Sequence, residues 1–264
     1  MSNTEIFKTP FPDLNDLMSG GFRPGSLVVV GGATCIGKTS FLISLLCKWA
    51  EEYIDVISLE QGRKEFLNLI MSCDTEVSLK KILTEQTTAQ EFQRIAEFSQ
   101  RMENSVIGID DERENLWGII EEAVDQGCKI LMIDSLQRII SKMDIYQEMS
   151  LVVNKLREIS IKNNVCIIVT SNLNRKIHER QGHRPILTDL RDSGYIEECA
   201  DQVILIHRRD YYDPHDKPGQ AELILAKNRY GNTGSVILAF RKEIGQFIKL
   251  EPFIPKPMIE PTKE

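Results

Sequence analysis

The chain has 264 residues, 42% hydrophobic and 27% charged, a globular profile outside the disordered, collagen-like and disulfide-dense classes. Thirty-two Lys+Arg against 39 Asp+Glu leave a net charge of −7, so no overall basic character argues for nucleic acid and any polyanion site must be local. There is no apolar run of about 18 residues and no basic-then-apolar amino terminus, and the cysteines (Cys35, Cys47, Cys73, Cys128, Cys166, Cys199) are scattered without a C-x-x-C pair, which predicts a reduced, cytoplasmic protein without membrane span, secretion signal or structural zinc.

Apolar, β-branched runs at 27–30, 54–59, 106–109, 130–133, 165–169 and 203–206 read as strands. Between most of them the periodicity is helical. Over 88–102, Thr88 and Glu91 form a capping-box signature, and Phe92, Ile95 and Ala96 then share one face. Over 145–160, Ile145, Met149, Val152, Val153, Leu156 and Ile159 form one stripe. Strands apolar on both faces that alternate with helices predict a mostly parallel central sheet with helices on both faces. After Asp201 the pattern changes: short runs at 221–226, 235–240 and 246–250 are separated by the turn signals Gly231–Asn232 and Gly245, predicting an antiparallel carboxy-terminal extension. No internal linker or repeat appears, so residues 1–251 are expected to form one domain and the proline-containing tail 252–264 to be disordered.

The first strand runs into Gly32, Ala33, Thr34, Cys35, Ile36, Gly37, Lys38 and Thr39, followed by Ser40 and a helical spacing of Phe41, Leu42, Leu45 and Leu46. This is G-x-x-x-x-G-K-T in a strand–loop–helix context, which predicts a P-loop NTPase. Glycines let consecutive N–H groups surround phosphates, and the helix points its positive end at them. Lys38 would reach the β/γ oxygens of ATP and Thr39 would hold Mg²⁺. Asp134, at the end of the buried run 130–133, supplies the partner carboxylate for the metal. Glu60 directly follows the run 54–59, where parallel strands deliver their carboxyl ends to the ligand crevice, and is the candidate that activates water.

Further along, Arg175, Lys176, Arg180, Arg184 and Arg191 outnumber Glu179 and Asp189 in a segment with no sustained apolar period, which predicts an exposed basic loop. Lys227 and Arg229, two apart on a strand, share one face.

Taken in order, several pieces resemble the carboxy-terminal, RecA-like motor domain of the DnaB-type replicative helicases, from Thr9 to Leu250. They are Phe11-Pro12-Asp13-Leu14, Gly20-Gly21, the phosphate loop, Ser58-Leu59-Glu60, Ile109-Asp110-Asp111, Ile133-Asp134-Ser135-Leu136-Gln137, Asn172-Leu173-Asn174-Arg175, Leu190-Arg191-Asp192-Ser193-Gly194, Arg208-Arg209-Asp210-Tyr211-Tyr212 and Lys227-Asn228-Arg229. The resemblance implies a DNA helicase or translocase that moves 5′-to-3′ on single-stranded DNA in replication, with ATP and Mg²⁺ at the interfaces of a homo-oligomeric, hexameric ring. It gives Glu60 the water-activating role and Asp134 the metal, and makes Lys227 and Arg229 a basic pair acting on a neighbour's γ-phosphate. It places Arg175, Arg191, Asp192 and Gly194 on DNA, through backbone contacts that carry no sequence information.

The sequence departs from the family at Asn172, where glutamine is usual, and at Glu112, where threonine is usual. Few residues precede Phe7, so the amino-terminal domain and linker helix of full-length relatives are expected to be missing. Two other readings stay open on the sequence. One is a RecA-superfamily ATPase that does not unwind, and the other a paralogue that binds ATP and modulates a full-length helicase ring or its loader.

Overall fold

A computed structural model describes residues 5–250 apart from 50, 51, 53, 104, 106, 113, 140–144, 191 and 192, and leaves the side chains of 145–147 and 193 undescribed. The tail expected from Pro252 onward lies outside the described residues. In chain order the elements are α1 (Pro12–Leu17), β1 (Leu27–Gly32), α2 (Lys38–Lys48), β2 (Ile54–Ser58), α3 (Arg63–Thr75), α4 (Leu79–Leu83), α5 (Ala89–Glu103), β3 (Ile107–Asp110), α6 (Leu116–Asp125) and β4 (Ile130–Asp134). There follow α7 (Leu136–Ile139), α8 (Ile145–Asn163), β5 (Cys166–Asn172), three 3₁₀ turns, α9 (Ser193–Cys199), β6 (Gln202–His207), α10 (Arg209–Tyr212), β7 (Gln220–Asn228), β8 (Gly234–Arg241) and β9 (Gln246–Lys249).

The nine strands form one sheet in the order β3-β2-β4-β5-β1-β6-β7-β8-β9. The first six pair in parallel and the last three continue antiparallel, as the change of pattern after Asp201 predicts. Every residue of β1, β2, β4 and β6 is buried, which the apolar runs require of strands covered on both faces. Alternation divides the core in two. Val28, Val30, Val56, Met132 and Ile168 pack with Phe41, Leu45, Phe66, Ile70 and Phe98 from α2, α3 and α5. Val29, Ile57, Leu131, Ile133 and Ile167 pack with Ile120, Met149, Val153, Leu156 and Ile196 from α6, α8 and α9.

Two expectations need correction. The capping box of α5 forms, with Glu91 N–H donating to Thr88 Oγ1 at 3.3 Å and Thr88 N–H to Glu91 Oε2 at 2.8 Å. Its buried face, however, is not the one carrying Phe92, which is 64% exposed; Phe98 is the buried anchor and Met102 packs beside it. Phe98 and Met102 join Phe66 and Ile70 of α3 in the core, whereas in the first turn Phe92 faces solvent and Glu91 bonds Lys81. The basic segment after β5 is also more ordered than an open loop. It forms turns at Arg175–Glu179, Gln181–His183 and Leu187–Asp189 that bury Ile177 and Leu190. Arg180 forks onto Asp189 at 2.5 and 3.0 Å and Arg184 onto Glu222 at 3.0 and 2.7 Å, while Arg175 and Lys176 stay exposed.

Candidate functional site

The carboxyl ends of β1, β2, β4 and β5 lie together, and the turn after β1 opens between them. Gly37 caps α2 with φ +117°, and a Cβ there would lie 3.2 Å from the Phe247 ring, so both conformation and space demand glycine. Lys38 is buried and turns back along the loop, donating to the carbonyls of Gly32 at 3.2 Å and Ala33 at 2.9 Å. Burial holds its ammonium below the usual lysine range, opposed by the nearby charges of Asp134 and Glu60.

Asp134 is fully buried at the end of β4. Thr39 donates its hydroxyl to Asp134 Oδ2 at 2.5 Å, and Thr170 on β5 donates to Oδ1 at 2.5 Å. Burial nevertheless pushes the Asp134 carboxyl above the usual range; the two hydroxyl bonds work against this and the charge of Glu60 adds to it. Glu60 reaches the cleft from the turn after β2, whose Leu59 and Glu60 N–H groups donate to Asp134 O at 2.6 and 3.2 Å. Ser135 donates to Glu60 Oε1 at 2.6 Å.

Lys38, Thr39 and Glu60 edge an open cleft of about 330 Å³, with Asp134 buried behind Thr39; its walls also include Cys35, Asn172, Arg208 and Phe240. The donor set fits a magnesium nucleotide. A threonine hydroxyl and a buried carboxylate are hard oxygen donors, and Mg²⁺ takes one or two such groups with phosphate and water as its remaining ligands. Asp134 and Lys38 each carry a charge that burial disfavours, and a metal beside one and phosphate beside the other would relieve both. Among the described residues no cluster of three or more His, Cys, Asp or Glu forms a metal cage of its own.

The structure brings Gly32 to Ser40, Glu60, Asp134 and Asn172 together. Asn172 ends β5 level with Gly32, and its N–H donates to Gln137 Oε1 at 3.1 Å. Ile36 is buried and enters the site through its carbonyl, which accepts from Arg208 Nη1 at 3.3 Å. Lys227 and Arg229 lie elsewhere. Lys227 pairs with Val203 and the Arg229 N–H donates to Asp201 O, at the amino end of β6, whereas Ile206 is level with Gly32. About 10 Å of strand separates Lys227 from the level of Gly32 and about 16 Å separates Arg229 from it, and both side chains turn away from the phosphate loop onto carbonyls of α9. Arg175 follows β5 on an exposed turn and Gly194 lies in the first turn of α9, while Arg191 and Asp192 lie outside the described residues.

Sequence reasoning missed the roles of Ser135, Thr170 and Arg208. The buried Arg208 ties the phosphate loop to the sheet, with its guanidinium 4.2 Å over the Phe240 ring and paired to Asp210. The sequence places Arg208 one residue past an apolar strand and in the Arg208-Arg209-Asp210-Tyr211-Tyr212 piece, but gives no sign of what its guanidinium bonds.

Comparison with known proteins matches a family model, DnaB-like helicase C-terminal domain, to residues 7–249. The chain is 31% identical over 260 residues to the replicative DNA helicase DnaC of Bacillus subtilis, covering 92% of this chain and 56% of that protein. It is 29% identical over 266 residues to DnaB of Geobacillus stearothermophilus, covering 96% and 58%. It thus spans little more than half the length of these curated relatives. Among solved structures, a DnaB-like replicative helicase described with its interactions with primase superposes with a TM-score of 0.86 at 28% identity, covering 95% of this chain and 63% of that one. A KaiC-like protein from Pyrococcus horikoshii, at 20% identity and a TM-score of 0.64, shares the fold. No helix among the described residues is long and apolar enough to cross a membrane.

Proposed function

The chain belongs to the DnaB-like helicase C-terminal domain family, and from that premise we propose that it hydrolyses ATP at subunit interfaces of a ring to translocate 5′-to-3′ on single-stranded DNA during replication. The observation that carries this reading is the division of the chemistry: Lys38, Thr39, Glu60 and Asp134 meet in one cleft, while Lys227 and Arg229 sit at the opposite end of the sheet. A subunit holds one part of the machinery and offers the other to a neighbour.

In this reading the loop N–H groups and the positive end of α2 hold the phosphates, and Lys38 exchanges its carbonyl partners for β/γ oxygens. Thr39 and Asp134 would hold Mg²⁺, and the ion would supply positive charge to the phosphate oxygens. Glu60 accepts a proton from the attacking water, and Ser135 fixes one of its oxygens so that the other faces the cleft. Water oxygen bonds to the γ-phosphorus as the β–γ bridge breaks, giving ADP and phosphate. The neighbour's Lys227 and Arg229 stabilise the charge on the departing phosphoryl, so hydrolysis waits on correct docking. Asn172, between the phosphate loop and the 3₁₀ turns, senses the γ-phosphate in place of the usual glutamine. Arg175, Arg191, Asp192 and Gly194 hold the DNA backbone, a contact that suits movement along any sequence.

The test is ATP hydrolysis with Mg²⁺, with and without a single-stranded oligonucleotide, alongside the mass of the assembly. Strong stimulation by DNA in an oligomer is expected. Hydrolysis by a solitary subunit indifferent to DNA would remove the reading, and turnover that appears only after addition of a full-length helicase would favour the modulating paralogue.

A further inference from the structure

The two cations at the amino end of β6 are bound on their own subunit. Lys227 Nζ donates to the carbonyl of Glu197 and, at 3.3 Å, to that of Glu198. Arg229 Nη2 donates to the same Glu198 carbonyl at 3.3 Å, and its Nη1 pairs with Asp201 Oδ1 at 3.1 Å. Glu197 and Glu198 close α9, where unpaired carbonyls and the negative end of the helix attract cations. Asp201 is fully buried and is itself held firmly. Its Oδ2 accepts the Leu27 N–H at 2.9 Å and pairs with Arg157, whose Nη1 also donates to Gly25 O at 2.9 Å.

We propose that Asp201, with the last carbonyls of α9, is the positioning group of the basic pair, keeping Lys227 and Arg229 withdrawn on their own subunit until DNA displaces α9. The proposal rests on the trans-acting role given to the pair above. A neighbour's triphosphate can claim these cations only in exchange for a buried carboxylate and helix-end carbonyls, so the withdrawn state competes directly with hydrolysis. α9 joins the two events. It starts at Ser193-Gly194, in the segment assigned to DNA, and about 6 to 8 Å further on presents the carbonyls that hold both cations. A shift of α9 away from β7 would withdraw the Glu197 and Glu198 carbonyls from both cations together, leaving Asp201, just beyond the helix, as the remaining hold on Arg229.

Asp201→Asn keeps an oxygen for the Leu27 N–H and removes the charge that holds Arg229. In the assembled full chain, hydrolysis without DNA should rise several-fold while the DNA-saturated rate changes little, so the stimulation ratio collapses toward one. A ratio left unchanged overturns the proposal, including the case in which both rates fall equally because the residue is merely structural. Arg229→Ala assayed in parallel separates the two ideas. If that variant hydrolyses normally, the trans role itself is lost; if it is inactive while Asp201→Asn keeps its ratio, only the withdrawal is refuted. Should Asp201→Asn not fold, the wild-type assembly still decides: phenylglyoxal modification of Arg229, followed by peptide mass spectrometry, should accelerate several-fold when oligonucleotide is added without nucleotide. Equal rates with and without oligonucleotide would sink the idea.

Discussion

Glu60 is placed by its neighbours more than by its own strand. Two backbone N–H groups tie its turn to Asp134 O, and the Ser135 hydroxyl fixes one carboxylate oxygen. Glu60→Gln keeps the shape and the serine bond but cannot take a proton, so nucleotide affinity should hold while turnover falls by about 10²–10⁴-fold; fluorescent-nucleotide titration beside steady-state hydrolysis checks both halves. Outside the cleft, His207 is held by burial below its ordinary value of 6.5, with Arg184, Arg209 and His183 acting in the same direction and Glu222 against it. The unfolded chain therefore takes up this proton first, and stability present above about pH 6.5 is lost as the pH falls toward the folded value. His207→Gln should flatten that acid-side decline in urea unfolding between about pH 7.5 and 5.5, and an unchanged slope would discharge His207 from the effect. Lys38, Thr39, Asp134 and Glu60 were legible because their chemistry is local to a loop or a strand end. Ser135, Thr170 and Arg208 were not, since what each bonds is set by the register of strands far apart in sequence.

At the level of elements, hydrophobic runs located the strands and the capping box located the start of α5, but neither could choose which stripe of α5 faces inward. Phe92, Ile95 and Ala96 satisfy helical spacing, and so do Ile95, Phe98 and Met102; the choice belongs to the core built by α3, which Phe98 and Met102 enter and Phe92 does not. Phe98→Ala should therefore cost about 3–5 kcal/mol and Phe92→Ala less than about 0.5 kcal/mol, read from urea midpoints at constant slope. Comparable losses would return Phe92 to the core. The segment after β5 shows the same limit. Its arginines read as free charge in the sequence, yet Arg184 finds its carboxylate on β7, 38 residues away, which no local pattern announces. Among the described residues of the segment, Arg175 and Lys176 stay exposed and are bonded to no carboxylate there.

Over the whole molecule, the order β2, β4, β5 and β1 in the sheet gathers four strand ends into one crevice, and the antiparallel β7 carries the basic pair back to the other end. That division was legible only through the order of motifs. The sequence reads both cations onto one strand, whereas β7 ends at Asn228 and Arg229 lies in the turn just past it; neither placement says which subunit they serve, and the backbone carbonyls of α9 that hold them have no sequence signature at all. The division also makes a prediction that no single-subunit account shares. Lys38→Ala loses its own phosphate grip but still offers Lys227 and Arg229; Arg229→Ala keeps the grip and offers an incomplete pair. Each alone should be nearly inactive. Mixed in equal amounts and allowed to exchange, about one interface in four would join an intact cleft to an intact pair, because in the proposed ring each interface is head-to-tail and draws one side from each subunit at random. Hydrolysis should then reappear in the mixture and vanish again when subunit exchange is prevented. A mixture no more active than its parts would place Arg229 outside every active site in the ring, and with it would go the reason for reading the two ends of the sheet as halves of one machine.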